Sequence, residues 1–409
     1  MEVYLVGGAV RDEQLGLPVK EQDWCVVGAS PDELLSEGYR QIGKHFPVFL
    51  HPETNEEYAL ARTERKTAAG YHGFTFHTSP DVTLEEDLSR RDLTINAMAK
   101  DANGNLIDPF NGMADLQDRI LRHVSSSFSE DPVRILRAAK FNARFADLGF
   151  VLADETLDLM SKMVCDGEAD ALQVDRIWQE TEAALAGFNP HLYFQTLRHC
   201  GALAIIFPEI DALFGVSRSS KWHPEIDCGL RTLMVLEQSA KLREDFSVRF
   251  AALVYNLGKA TTAVKTLPSY TGYEHRSIQL IKDMSKRLPI PRNCRELGIL
   301  VAEYHKHCHC AFELKPSILL KLFNSIDAFR RPDRFQKFLL ACQASAYDRT
   351  GFKDSPYPQT AYLEAARNEA NLVKAKQITD TNIDGAAIGV AIDKMRIKAI
   401  KKMKAQTAI

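Results

Sequence analysis

The chain of 409 residues contains no run of about 18 apolar residues, so nothing in it reads as a membrane-spanning helix. Its first residues show no signal-peptide pattern of basic start and apolar stretch. Eight cysteines lie scattered without framework spacing, which argues against a disulfide-stapled secreted domain and suits a reducing cytosol. Together these absences predict a cytoplasmic protein. Internal repeats and low-complexity segments are also missing, and nothing marks a stable protein partner. With 45% of its residues apolar, the chain is expected to form globular domains of roughly 100–200 residues each.

Net positive charge is lacking as well: the balance of −3 looks poor for a nucleic-acid binder, but it is unevenly spread. Residues 1–110 carry 10 Lys/Arg against 19 Asp/Glu, and the remainder carries 41 against 35. An acidic head suits metal ions and a basic remainder suits a polyanion, although ordinary surface variation also gives some asymmetry.

What is present divides in two. Residues 1–110 read as mixed α/β, with short apolar strands expected at 3–6, 24–27, 46–50 and 58–61, bounded by Gly, Pro or Asn. A helix is expected from Pro31 with Ser30 as its N-cap. From about residue 112 the pattern becomes almost wholly helical, with Leu116, Ile120, Leu121, Ile135, Leu136 and Phe141 at three- and four-residue spacings within their runs. Polar stretches at 217–220 and 350–358 are candidate boundaries. Residues 66–81, with two glycines and little periodicity, read either as a mobile loop beside the chemistry or as a surface connection.

Three motifs carry chemistry. In Leu5-Val6-Gly7-Gly8-Ala9-Val10-Arg11-Asp12 an apolar strand enters a Gly-Gly turn, whose bare backbone N–H groups can approach phosphate oxygens while Arg11 offers a planar fork. In Glu21-Gln22-Asp23 two carboxylates at i and i+2 of a strand share a face, as a magnesium ion in phosphoryl transfer requires. Alone, either pattern is commonplace: a turn, or a charged surface. The third motif is Glu130-Asp131-Pro132-Val133-Arg134, where positions i and i+3 of a helix project to one side. A carboxylate there can accept from the exocyclic amine shared by cytosine and adenine, and a guanidinium can donate to a ring nitrogen or carbonyl oxygen. Guanine and uracil present the reverse pattern and leave polar groups unpaired. A helix-start cap with an i,i+3 ion pair is the structural alternative.

In this order, together with Arg90-Arg91-Asp92-Leu93-Thr94-Ile95-Asn96-Ala97 and Asp108-Pro109-Phe110-Asn111-Gly112, the motifs resemble those of the class II tRNA nucleotidyltransferases. The bacterial poly(A) polymerases are close relatives within the same polymerase-β-like superfamily. The similarity is nearest to gammaproteobacterial-type CCA-adding enzymes and covers nearly the whole chain. It implies an α/β polymerase-β-like nucleotidyltransferase head (1–112) followed by all-α parts. These are a neck and body with the base-reading helix (113–220), a degenerate HD-like domain (221–345) and a tail (346–409). The implied activity is template-independent addition and repair of the 3′-terminal CCA of tRNA from CTP and ATP, releasing pyrophosphate, with Mg²⁺ as cofactor. Carried over by position, Gly8 and Arg11 hold the triphosphate, and Glu21 and Asp23 are the catalytic metal ligands. Arg91 contacts the nucleotide, Asp92 and Asn96 shape the ribose side, and Asp131 and Arg134 face the base. Arg137 and Lys140 add phosphate or base contacts. A third carboxylate is usual; Glu57 is favoured over Glu64. The rivals are a poly(A) polymerase, a partial enzyme adding only CC or only A, and an inactive tRNA-binding protein. The 66–81 loop argues against CC-only addition, because in the family it permits the switch to ATP, and the retained Glu21, Asp23, Arg91, Asp131 and Arg134 argue against inactivity.

Departures from the family pattern are informative. Position 21 is Glu where many relatives have Asp, and Lys140 replaces an arginine fork by a point charge. Where longer relatives carry an HD metal site, this chain has Arg231, Tyr255, Asn256 and a 270–275 segment poor in ligands, so the fold is expected to persist and the hydrolase centre to be lost. His305, His307, Cys308, His309 and Cys310 match no common zinc spacing. Residues 394–404 form a basic amphipathic stretch, suited to tRNA phosphates or simply to solvent.

Overall fold

The computed structural model describes residues 1–42, 48–66, 74–216, 227–242, 245–262, 269–347, 356–374 and 385–407. The chain divides into two compact units, one of residues 1–184 and 192–206, the other of residues 185–191 and 207–409. Among the described residues, no helix is long and apolar enough to cross a membrane.

The first unit is built on a seven-stranded sheet in the order β3-β4-β5-β2-β1-β8-β9. Its strands are β1 (Glu2–Val6), β2 (Asp23–Val27), β3 (Arg40–Ile42), β4 (Val48–Leu50), β5 (Glu57–Leu60), β8 (Ala99–Lys100) and β9 (Leu106–Ile107). A separate ribbon pairs β6 (Thr63–Lys66) with β7 (Phe74–His77). Strand alternation gives the sheet two apolar faces: Val6, Cys25 and Ala99 pack with Leu88 and Ala97, while Val26, Phe49 and Tyr58 pack with Leu34. Helix α1 (Gly8–Gln14) follows the Gly-Gly turn. Helix α2 (Pro31–Ser36) starts with the capping box that Ser30 and Glu33 complete, a cap worth roughly 1 kcal/mol.

Register matters most here. Antiparallel pairing sets Val6 opposite Asp23, and parallel pairing sets Asp23 beside Glu57. The Gly-Gly turn and both carboxylates therefore meet at one end of the sheet. Gly7 has φ 68°, which favours glycine, and a Cβ there would lie 2.6 Å from Arg91 Nη1. At Gly8 an added Cβ would meet nothing nearer than 3.5 Å.

Helices α3 (Leu84–Ser89), α4 (Gly112–Asp118), α5 (Val133–Phe145), α6 (Asp154–Cys165) and α7 (Val174–Ala186) follow. Ile120 and Leu121, expected within a helical run, instead form β10 and pair in parallel with β11 (Val151–Leu152). Arg119 explains the break: it ends α4 in the left-handed conformation at φ 60°. Residues 74–77, expected within a loop, are strand β7; residues 67–73 of that loop lie outside the described residues, as do the boundary at 217–220 and residues 350–355. In α5, Ile135, Leu136, Ala138 and Ala139 are fully buried, which leaves Arg134, Arg137, Lys140 and Arg144 three to four residues apart along another side.

After α8 (Pro190–His199), α9 (Ala202–Ile206) and α10 (Pro208–Asp211), the second unit is helical throughout its described part. It comprises α11 (Cys228–Leu242), α12 (Phe246–Val254), α13 (Tyr273–Arg287), α14 (Arg292–His309), α15 (Pro316–Ile326), α16 (Pro332–Ala346), α17 (Pro358–Asn371) and α18 (Gly385–Thr407). Helix α12 is buried from Ser247 to Val254, and its core includes Phe323, Phe335 and Phe338. In α18, Ile400 and Met403 join that core, Arg396 lies over the Phe329 ring, and Lys404 Nζ donates to Phe312 O and Leu314 O. Lys394, Lys398, Lys401 and Lys402 face solvent.

Candidate active site

The end of the sheet where Val6, Asp23 and Glu57 meet opens into a cavity of about 730 Å³ within the first unit. Every residue nominated from sequence lines it except Glu21, which sits exposed just before β2. Glu57 is among the lining residues, whereas Glu64 belongs to the separate β6–β7 ribbon.

Asp23 lies at the exposed rim, yet the surrounding walls desolvate its carboxyl and push it above its ordinary value; Arg91 opposes this and Glu21 adds to it. Such crowding of hard oxygen donors is what a divalent cation relieves, so the residues fit one. Among the described residues, no group of three or more His, Cys, Asp or Glu is arranged as a complete metal site. A site of one or two carboxylates completed by substrate phosphates needs no such cage.

The basic side chains are held by buried carboxylates. Asp87, 1% exposed, lies between Arg90 and Arg91 and also accepts the Arg62 backbone N–H. Asp92 accepts from Arg137 Nε at 2.7 Å, from Asn96 Nδ2 at 2.9 Å and from the Leu93 N–H at 2.8 Å. Burial alone would raise its carboxyl, but Arg137 and these donors hold it far below the usual carboxylate range. Asn96 in turn accepts from Arg11, whose Nε donates to Asp12 at 2.8 Å, and Arg144 reaches the other Asp12 oxygen at 3.0 Å. One network thus joins α1 to α5. Lys140 pairs with Glu180 on α7 at 2.5 Å.

Three features differ from the sequence reading. Glu21 was expected to share a strand face with Asp23, but β2 begins only at Asp23, so strand alternation does not orient Glu21, and it lies outside the cavity lining. Arg11 was expected to offer its fork to phosphate; it is 3% exposed, lies against both the Phe141 and Phe145 rings, and already donates to Asp12 and Asn96. Asp131 was expected on one helix with Arg134, but it precedes α5 in extended conformation, and its Oδ1 accepts the Val133 N–H at 3.0 Å. The proline at 132 explains this, since the residue before a proline is driven out of the helical region. Arg134 is 7% exposed, and its two terminal nitrogens donate to Ser127 O and Arg90 O, which fixes the plane of the fork. Both residues still line the same cavity.

The sequence reading missed Asp12, Asp87, Arg144, Arg176 and Glu180. Asp87 had a signal in its i+3 and i+4 spacing to Arg90 and Arg91. Arg176 and Glu180 had none, because α7 reaches the cavity only through tertiary packing.

The HD-like positions fall in the second unit. Arg231 and Tyr255 line a cavity there, Asn256 is fully buried with Nδ2 donating to Thr232 Oγ1 at 3.0 Å, and His275 is exposed. His305 and His309 line that cavity too, while His307 does not.

Residues 3–122 match the poly A polymerase head domain family, and residues 149–214 match a probable RNA- and SrmB-binding site of polymerase A. The chain is 58% identical over 406 residues to a multifunctional CCA protein of Thioalkalivibrio sulfidiphilus, covering 99% of each chain. It is 54% identical over 404 residues to one of Alkalilimnicola ehrlichii, covering 99% of this chain and 98% of that one. Its fold resembles a CCA-adding enzyme solved with ATP (TM-score 0.64, 21% identity, 98% and 86% covered) and one solved with CTP (0.65, 21%, 98% and 87%). It also resembles the Thermotoga maritima CCA-adding enzyme complexed with tRNA (0.63, 21%, 98% and 87%).

Proposed function

Since the chain belongs to the family of bacterial CCA-adding enzymes, the multifunctional CCA proteins, we propose that it builds and repairs the 3′-terminal CCA of tRNA from CTP and ATP. The observation that carries this reading is one cavity lined both by carboxylates at the sheet end and by Asp131 and Arg134, each held by hydrogen bonds, on its α5 side.

Glu21 and Asp23 are proposed to hold Mg²⁺, with Glu57 as the third carboxylate. When bound, the ion supplies charge that offsets the phosphates and favours ionisation of the attacking hydroxyl. The remaining work belongs to the chain itself. The backbone at Gly7 and Gly8 receives the triphosphate, and Arg91, anchored by Asp87, aims its guanidinium at it. Asp92 and Asn96 set the ribose side, and Arg11 acts by bracing Asn96. Arg137 and Lys140 face the nucleotide's phosphates or base. The tRNA 3′-oxygen then bonds to the α-phosphorus in line, the bond to the β-phosphate oxygen breaks, and pyrophosphate leaves. Asp131 accepts from the exocyclic amine common to C and A, and the Arg134 fork donates to the adjacent ring position. A fork fixed by two carbonyls loses little freedom on binding, which favours selection. The same reading assigns tRNA affinity to basic surfaces outside this cavity and assigns no metal-dependent hydrolysis to the second unit.

The direct test is incubation with tRNA ending at the discriminator base, resolved at single-nucleotide length. CTP alone should give two additions, ATP alone none, and the mixture three. A long adenosine tail would assign the chain to the poly(A) polymerases instead.

A further inference from the structure

Resting on the nucleotidyl-transfer reading of the first cavity, we infer that Arg144 holds the outer phosphates of the incoming CTP or ATP, the pair that leaves as pyrophosphate. Arg144 lines the cavity near the C-terminal end of α5, and its side chain is 48% exposed. Arg11, which the Gly-Gly motif offers for that task, is already committed. Its Nε and Nη2 bind Asp12, its Nη1 binds Asn96, and its side chain is 4% exposed.

Asp12 brings Arg144 toward the Gly-Gly turn. Gly8 and Asp12 stand at i and i+4 of α1, so they share a face one turn apart. Asp12 Oδ1 is taken by Arg11, and Oδ2 accepts from Arg144 Nη2 at 3.0 Å. The Arg144 guanidinium also lies 4.9 Å from the centroid of the Phe145 ring. These two contacts hold the guanidinium in place, and among the described residues its Nε and Nη1 make no hydrogen bond. An N–H donor is thereby left for a phosphate oxygen.

Charge points the same way. Along α5, Arg137 pairs with Asp92 and Lys140 with Glu180, one acid to each cation. Asp12 instead serves two guanidinium groups, those of Arg11 and Arg144. Burial lowers the Arg11 pKa and the nearby Arg144 adds to that, against the opposing pull of Asp12. A phosphate at Arg144 supplies the second negative charge. The order along the helix fits as well: Arg134, proposed for the base, and Arg137, which holds the ribose-side Asp92, come before Lys140 and Arg144. At 1.5 Å per residue the rise from Arg134 to Arg144 is about 15 Å, enough to lay a nucleotide from its base to its outer phosphates.

The test is calorimetric titration of the full chain with CTP and with pyrophosphate in Mg²⁺, without tRNA, and with CMP by competition against CTP. Arg144→Ala should weaken CTP and pyrophosphate each about 10-fold and leave CMP unchanged, and Arg144→Lys should recover part of the loss. In addition assays Arg144→Ala should need about 10-fold more pyrophosphate for the same inhibition. Equal weakening of CTP and CMP would make Arg144 a brace between α1 and α5 and overturn its phosphate role. Unchanged CTP affinity would overturn it too, and a loss of tRNA affinity in its place would give Arg144 to a tRNA phosphate. Wild-type protein that binds no CTP would sink the nucleotidyl-transfer reading itself. Normal CCA addition by the wild type, beside an Arg144→Ala variant that binds CTP as tightly, would sink only the role of Arg144.

Discussion

The two cavities are both rich in cations, yet they are built oppositely. Carboxylates line the first, among them Asp23, Glu57, Asp87 and Asp92, whereas the second has none among its described lining residues. In the first, each of Arg11, Arg91, Arg137 and Lys140 is tied to a buried acid, which fixes direction as well as charge. In the second, two lysines rest over the Tyr273 ring, and Lys306 pairs with Glu274, which lies outside the lining. A cavity that mixes acids with oriented bases can hold a metal ion and recognise a shaped ligand.

The comparison breaks most sharply at Asp23. Asp23→Ala should lower nucleotide addition by about 10³-fold or more, the scale of losing a major electrostatic contribution to phosphoryl transfer, while tRNA affinity stays within a few-fold. Turnover at the wild-type rate would remove Asp23 from the site. Conversely, the second cavity should show no hydrolysis of 2′,3′-cyclic AMP with Ni²⁺, Mn²⁺ or Mg²⁺. Robust hydrolysis abolished by His275→Ala but not by Asp23→Ala would mean that a metal centre exists in the second unit after all.

Smaller effects sharpen the contrast. Gly7→Ala forces both a strained backbone and a clash with Arg91, so it should cost about 1–3 kcal/mol in urea denaturation and reduce addition. Gly8→Ala should be milder by both measures, and equal effects would show that the turn relaxes freely. The smallest effect concerns pH. His305 is held neutral in the folded state with its pKa lowered from 6.5 to about 3, so its contribution to stability is intact above pH 6.5. It should decline as pH falls from about 6.5 toward 3. His305→Gln should flatten that part of the second unit's stability profile; an unchanged profile would show that His305 is not responsible.

Much of the first cavity was legible because strand alternation and turn chemistry are local. Val6, Gly7 and Asp23 sit where the strands and the Gly-Gly turn place them, although Glu21 of the acid-x-acid pattern falls before β2, and the helix N-cap at Ser30 is present as read. The register that sets Glu57 beside Asp23 needed only the right strand order. What escaped depended on contacts distant in sequence. No local pattern announces that Arg11 packs against Phe141 and Phe145, or that Glu180 holds Lys140. Asp131 was misplaced by a residue-level conflict, because its i+3 spacing suggested a shared helix while Pro132 forbade one.

Asp131 and Arg134 are proposed to stand in for a template strand, and single-turnover incorporation by Arg134→Ala tests this directly. With CTP and UTP, and then ATP and GTP, compared on the appropriate tRNA end, the preference for C and A should fall roughly 10- to 100-fold, the worth of one good base contact. A variant that is slower but equally selective would contradict the account and leave Arg134 as a brace between Ser127 and Arg90.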